Sequence, residues 1–286
     1  MVGFVVQTRP SKFLYESPKT LVSSYPEAYS LHWWYNLLTC IYMTSLNIWV
    51  MRNRSKGVVV TYTVLSWMLN QFGHGINALA PFLYDHHILL QINRIIRFPA
   101  LASASITCSV WNFVLLPYIH FIGLDTEAKR HNFAKFNFNF RLVQKHVCNI
   151  LYAVLNTVVT RKSNEDAAFQ LFDEDDLWYG LAYGVGYGLF YNLVLDRIGV
   201  HLYPIFSPRS NLVVLTWLFV FGIYIGFFRL FNHVMQGQLM EFLTVPVLMG
   251  LNVLITVLSM IILRHLETKD KKFQVPEEVK TKKKNN

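Results

Sequence analysis

The sequence predicts an all-α fold, a polytopic bundle of about seven transmembrane helices, from three observations: apolar runs of spanning length, a composition short of charge, and loops whose charge alternates. A span across the hydrocarbon core needs roughly 20 mostly apolar residues. Runs near that length cover 32–51, 58–83, 96–123, 142–160, 177–199, 212–231 and 239–263. In lipid an open strand leaves peptide groups without partners, so each run is expected to be helical. With 53% hydrophobic and 15% charged residues, a chain of 286 residues has too little polar surface to cover a soluble globule. We read 1–286 as one membrane domain, with a polar N-terminal segment 1–30 and a basic tail 264–286.

Taken in order, the first run opens on Trp33, Trp34 and Tyr35, an aromatic belt of the kind found at a membrane interface, and is followed by Arg52, Arg54 and Lys56. The second is interrupted by Asn70, Gln71, His74 and Asn77, so a re-entrant or interfacial segment there, leaving six spans, stays open. Lys129, Arg130, Lys135, Arg141 and Lys145 mark the third loop and the start of the fourth run. The fourth loop instead carries Glu165, Asp166, Asp173, Glu174, Asp175 and Asp176 against Arg161 and Lys162. Short cytoplasmic loops carry excess Lys and Arg, so the first and third loops are expected in the cytosol and the fourth on the other side. An odd number of spans then places the N-terminus in the lumen, against the weak pull of Arg9, Lys12 and Lys19, and the Lys-rich C-terminus in the cytosol.

Residues 1–30 lack a continuous apolar core and contain Pro10, Pro18 and Pro26, so no cleavable signal peptide is expected. Lys283 and Lys284 stand third and fourth from the end, the pattern of a dilysine retrieval signal read by the coat machinery on a cytosolic tail, which points to the endoplasmic-reticulum membrane. The net charge of +9 sits in short loops and this tail rather than on a basic stripe, so nucleic acid is not an expected partner.

Cys40, Cys108 and Cys148 fall inside apolar runs without metal spacing, and are expected to be packing residues. Gly180, Gly184 and Gly188 recur every fourth residue and leave one helix face nearly bare, which permits close helix approach; no strand precedes them, against a nucleotide loop. His74, His120, His146 and His233 lie in or beside spans, but their depths do not match as haem-ligand pairs should, and no cofactor or metal is expected. No Gly-x-Ser-x-Gly elbow, His-Glu-x-x-His pair or Walker lysine occurs.

Two polar positions stand out at membrane depth: Thr39, inside the first run, and His146, near the start of the fourth. Their context is an ordered set of short motifs. Trp34-Tyr-Asn-Leu-Leu-Thr39, Phe98-Pro99, Phe140 to His146 and Tyr203-Pro204 follow one another between Trp33 and Pro204. In that order they resemble the androgen-induced family of integral-membrane hydrolases, which includes the androgen-dependent regulator of tissue factor pathway inhibitor. The family motif Asn-His-x-Met-His has Leu142 at its asparagine, Val143 at its first histidine and His146 at its second. This chain also has an additional run between Thr39 and Phe98.

The resemblance implies a membrane-embedded hydrolase for fatty acid esters of hydroxy fatty acids, with a lipid substrate within the bilayer. Thr39 would attack the ester carbonyl, and His146, the family's second histidine, would accept its proton and later activate water. Such a pair must come within about 3 Å, so the first and fourth spans must touch. Arg141 or Lys145, within a turn or two of His146, would bind the substrate carboxylate. The competing class is a non-enzymatic multi-pass protein, a transporter or scaffold, although no internal two-fold repeat is visible.

Overall fold

The computed structural model describes residues 26–53, 61–82, 87–159, 172–199, 211, 213–236 and 245–268, and the regular structure in them is all helical. Helices occupy the seven apolar runs: α1 (Leu31–Asn53), α2 (Tyr62–Leu79), α3 (His87–Val110), the paired segments described next, α7 (Glu174–Phe190), α8 (Val213–Gln236) and α9 (Val245–Thr268). The third loop forms α4 (Glu127–Asn137), and the fourth run is α5 (Phe140–Val143) joined to α6 (Asn149–Val159) by a π-turn at Gln144–Cys148. Further π-turns carry α3 on through Trp111–Leu115 and Ile119–Gly123, and α7 on through Tyr191–Leu195.

Local chemistry sets several starts. The Thr61 hydroxyl accepts from the Val64 amide at the head of α2, Thr126 caps α4 and Asn139 caps α5. Asp173 and Asp176 form a reciprocal capping box at the head of α7. The same two carboxylates reach α3, where Arg97 Nη2 lies 3.1 Å from Asp176 and Arg94 Nη2 lies 3.6 Å from Asp173. This pairing lets α3 begin at His87, well before the expected start at 96, because its two arginines are neutralised rather than left as an end to the helix.

Three described helices are long and apolar enough to cross a membrane, within 88–123, 213–234 and 246–268. Over an 18-residue apolar stretch the last two bury only 6% and 11% of the residues, and they turn Leu215, Leu218, Phe219, Leu254, Val257 and Ile261 outward. Exposed apolar surface of that extent belongs in lipid rather than water. The chain is therefore an all-α membrane protein. Helix α3 runs through the centre and packs on α2, α6, α7 and α8, while α1 packs on α2 and α9 closes over α4, α5 and α6.

The glycine face of α7 receives aromatic rings. A Cβ at Gly180 would fall 2.5 Å from Phe98 Cε1, one at Gly184 2.8 Å from Tyr224 Cε2, and one at Gly188 inside the Trp217 ring. The expected close approach is thus made by side chains of α3 and α8 rather than by a second bare backbone. All three cysteines are free thiols.

Candidate functional site

The polar residues that make the second run look insecure are the inner stripe of α2. Ser66, Asn70, His74 and Asn77 are completely buried and face α1, α3 and α6. Asn77 receives a hydrogen bond from Asn93 at 2.8 Å and donates to Asn156 and Asn36. Asn70 donates to Asn149 at 2.8 Å, and Asn149 donates to Ser66 at 3.0 Å. His74 holds Nδ1 2.8 Å from Asn36 Oδ1 and Nε2 3.2 Å from the Tyr152 carbonyl. With an oxygen opposite each nitrogen, a neutral ring satisfies one contact and an imidazolium both. Buried amides in lipid must pair with each other, and these do so across four helices.

Where the expected site residues lie follows from this ladder. Helix α1 runs antiparallel to α5–α6: Asn36 meets the His74–Tyr152 pair at one level, and Lys145 Nζ donates to Asn47 Oδ1 at 2.9 Å at another. Thr39 is buried one turn beyond Tyr35, whose ring packs with Leu155 and Leu248. It lies a little over two helical turns, about 12 Å at 1.5 Å per residue, before the level of Lys145. No hydrogen bond joins Thr39 to His146 among the described residues. Lys145 and Arg141 both turn to α1, Lys145 onto Asn47 and Arg141 over the Trp49 ring, while His146 turns the other way, onto α3. The structure therefore brings Arg141 and Lys145 together on one side and leaves His146 on the other. Lys283, Lys284 and Tyr203-Pro204 lie outside the described residues.

His146 faces a cavity wall. Its ring lies against that of Trp111 with centroids 4.3 Å apart and an interplanar angle of 31°, and its Nδ1 is buried without a hydrogen-bond partner. Both residues stand in π-turns, which break the regular ladder and re-aim side chains. Asn112 bridges the two segments, donating to the Cys108 carbonyl at 2.7 Å and the His146 carbonyl at 3.4 Å. Trp111 Nε1 is held by Asn137 Oδ1 at 3.1 Å.

On the far side of Trp111 lies a cavity of about 440 Å³ between α2, α3 with its extension, α7 and α8. Its walls include Ile106, Val110, Val220, Gly184, Gly188 and Trp217, and among the described residues no Asp, Glu, Lys, Arg or His lines it. The size is that of a small-molecule site and the lining suits hydrocarbon. Nothing in the residue pattern announced it, since it lies between four helices distant in sequence and opens past Leu215 and Phe219; the bare glycine face was its one legible wall. Among the described residues no three His, Cys, Asp or Glu side chains gather as a metal-ligand set.

No protein-family model, curated protein or solved structure matches the chain.

Proposed function

We propose that this chain is a seven-span membrane protein of the endoplasmic reticulum, with a cytosolic C-terminus, that takes the apolar chain of a lipid ester into the cavity and hydrolyses the ester with His146 as base. The cavity carries the reading: about 440 Å³ of space with no charged side chain among the described lining residues, walled by Trp111, whose other contact is the ring of His146. Helices in all seven apolar runs support the span count, and the pairing of α2 amides with Asn36, Asn93, Asn149 and Asn156 supports residues 58–83 as a span. The resemblance supplies the ester chemistry and Thr39 as nucleophile. In this structure α1 meets Lys145 and His146 faces α3, so the Thr39 step rests on the resemblance alone.

A second reading is a non-enzymatic lipid-binding protein. The observation that favours it is the present separation of Thr39 from His146, with Lys145 rather than His146 turned toward α1.

The test is hydrolysis of a fatty acid ester of a hydroxy fatty acid by membranes holding equal amounts of wild type, Thr39→Ala or His146→Ala. Loss of at least tenfold in both variants supports the Thr–His hydrolase. Loss in His146→Ala alone keeps the base and replaces the nucleophile. Wild-type membranes no more active than empty ones leave the non-enzymatic reading.

A further inference from the structure

The cavity occupies one half of the membrane. Ionised groups collect at the ends of spans rather than at their middle, so the Arg97–Asp176 pair marks one face of the hydrocarbon on α3 and α7. The next charged residue of α7 and its extension is Asp196, twenty residues beyond Asp176, a rise of about 30 Å that matches the hydrocarbon core. On α3 and its extension, Ile106 lies nine residues beyond Arg97, about 13 Å and close to the midplane. Leu115 lies nine residues beyond Ile106, close to the far face. These two residues bound the α3 wall of the cavity, and beyond Leu115 the chain leads into α4. Helix α7 runs the same way, with Gly184 to Tyr191 in the wall, and α8 runs against it, since Gly184 meets Tyr224 and Gly188 meets Trp217. The cavity is therefore about 13 Å tall, close to the thickness of one leaflet, and lies between the midplane and the α4 side.

Its mouth faces sideways. Val114, Leu215 and Phe219 line the cavity and are 43%, 65% and 52% exposed, whereas Ile106 at the inner end is 6% exposed. Leu215 and Phe219 stand one turn apart on the same face of α8. At their other ends α3 and α8 are pinned together, with the Phe98 and Phe228 rings 5.6 Å apart. We infer that the cavity is a slot for an acyl chain of a lipid resident in the α4-side leaflet. The chain enters sideways between Val114 and the Leu215–Phe219 turn, and its methyl end stops against Ile106, Gly184 and Val220 at the midplane. This rests on the proposed reading of the cavity as the lipid site, and adds the leaflet, the cytosolic one in the proposed orientation, and the direction of entry. A chain from the opposite leaflet would meet the packed rings of Phe98 and Tyr224 before it reached Ile106. With no charged side chain among the described lining residues, the polar end of the lipid stays at the α4-side surface, where water and headgroups solvate it.

The experiment places the full-length protein in phosphatidylcholine nanodiscs with one of two photoreactive phosphatidylcholines, bearing a diazirine at the methyl end of an acyl chain or beside its carbonyl. Adducts are mapped by mass spectrometry. The methyl-end probe is expected on Ile106 and Val220, and the carbonyl-end probe on Leu115 and Leu215. Leu215→Trp with Phe219→Trp, both at exposed positions that tolerate bulk, should narrow the mouth and cut labelling of Ile106 roughly tenfold. Labelling of the outward residues Val253 and Val257 on α9 should not change. Methyl-end adducts on Leu115 in place of Ile106 would mean entry from the other leaflet, and Ile106 labelled equally in the double variant would mean another route; either overturns the inference. A wild type that hydrolyses the ester while Ile106 and Val220 stay unlabelled also overturns it, and leaves the enzyme. Depth-ordered labelling in a protein without esterase activity upholds the slot and removes the hydrolase.

Discussion

The rings of Trp111 and His146 lie against each other with centroids 4.3 Å apart, each carried on its own π-turn, so a wall residue of the cavity also covers the His146 imidazole. Removing the indole should uncover the histidine. Trp111→Ala is expected to cost about 2 kcal/mol of stability, less than a fully buried tryptophan, because the residue is only half-buried. It should also make His146 react with diethyl pyrocarbonate several times faster than in wild type, read by peptide mass spectrometry, while Trp111→Phe stays near wild type. Equal modification in all three proteins would mean that Trp111 does not cover the ring.

The glycine face of α7 gives a paired prediction. A methyl group at Gly188 would enter the Trp217 ring, whereas nothing lies within 4 Å of one at Gly186. Gly188→Ala should lower stability by about 1–3 kcal/mol through overpacking. Gly186→Ala should be neutral or gain up to about 1 kcal/mol from helix propensity. Thermal unfolding in detergent measures both, and a Gly188→Ala protein as stable as wild type would mean that Trp217 swings away at little cost.

Arg97 and Asp176 form a buried pair, with the guanidinium also 4.7 Å from the centre of the Phe172 ring. Burial pushes the Asp176 carboxyl above its ordinary range, and Arg97 pulls it back. Asp176→Asn keeps the helix cap but leaves a buried cation without its counter-charge, and should cost about 3 kcal/mol. Replacing both, Arg97→Met with Asp176→Leu, should recover much of that loss. A double variant no better than the single would show that the pair does more than neutralise itself.

Asn77 is the node of the amide network, bonded to Asn36, Asn93 and Asn156. Asn77→Leu removes one hydrogen bond from each of these three side chains and should lower stability by about 2–3 kcal/mol. Leu79→Ala, on the outward side of the same helix and 53% exposed, should change it by less than about 0.5 kcal/mol. Similar losses in the two would mean the stripe contributes packing alone.

The positions of the helices were legible because length and hydropathy of a run carry that information, and each expected run holds a helix. Their ends and rotations were less so. Helix α3 starts early because Arg94 and Arg97 find Asp173 and Asp176, a pairing between residues far apart in sequence that no local pattern reveals. The acidic loop reads from sequence as a sign of sidedness, and half of its role is this contact. In α2, Asn70, His74 and Asn77 look like interruptions of a span, yet they recur at helical spacing, and that spacing was the available sign of a buried stripe. For the site, a residue type can be read but its facing cannot. Lys145 and His146 are neighbours in sequence, about 100° apart around the helix, and so serve different faces of it.

The most direct test of the account is where a lipid ester touches the protein. Wild-type protein in nanodiscs would be photolabelled with a hydroxy fatty acid ester bearing a diazirine in its acyl chain, and the adducts mapped by mass spectrometry. Adducts are expected on cavity-wall residues of α3, its extension and α8, such as Val110, Val114 and Val220, and are expected to disappear in Val220→Trp. Adducts confined to outward residues of α9, such as Val253, Val257 and Ile261, and unchanged by that substitution, would contradict it.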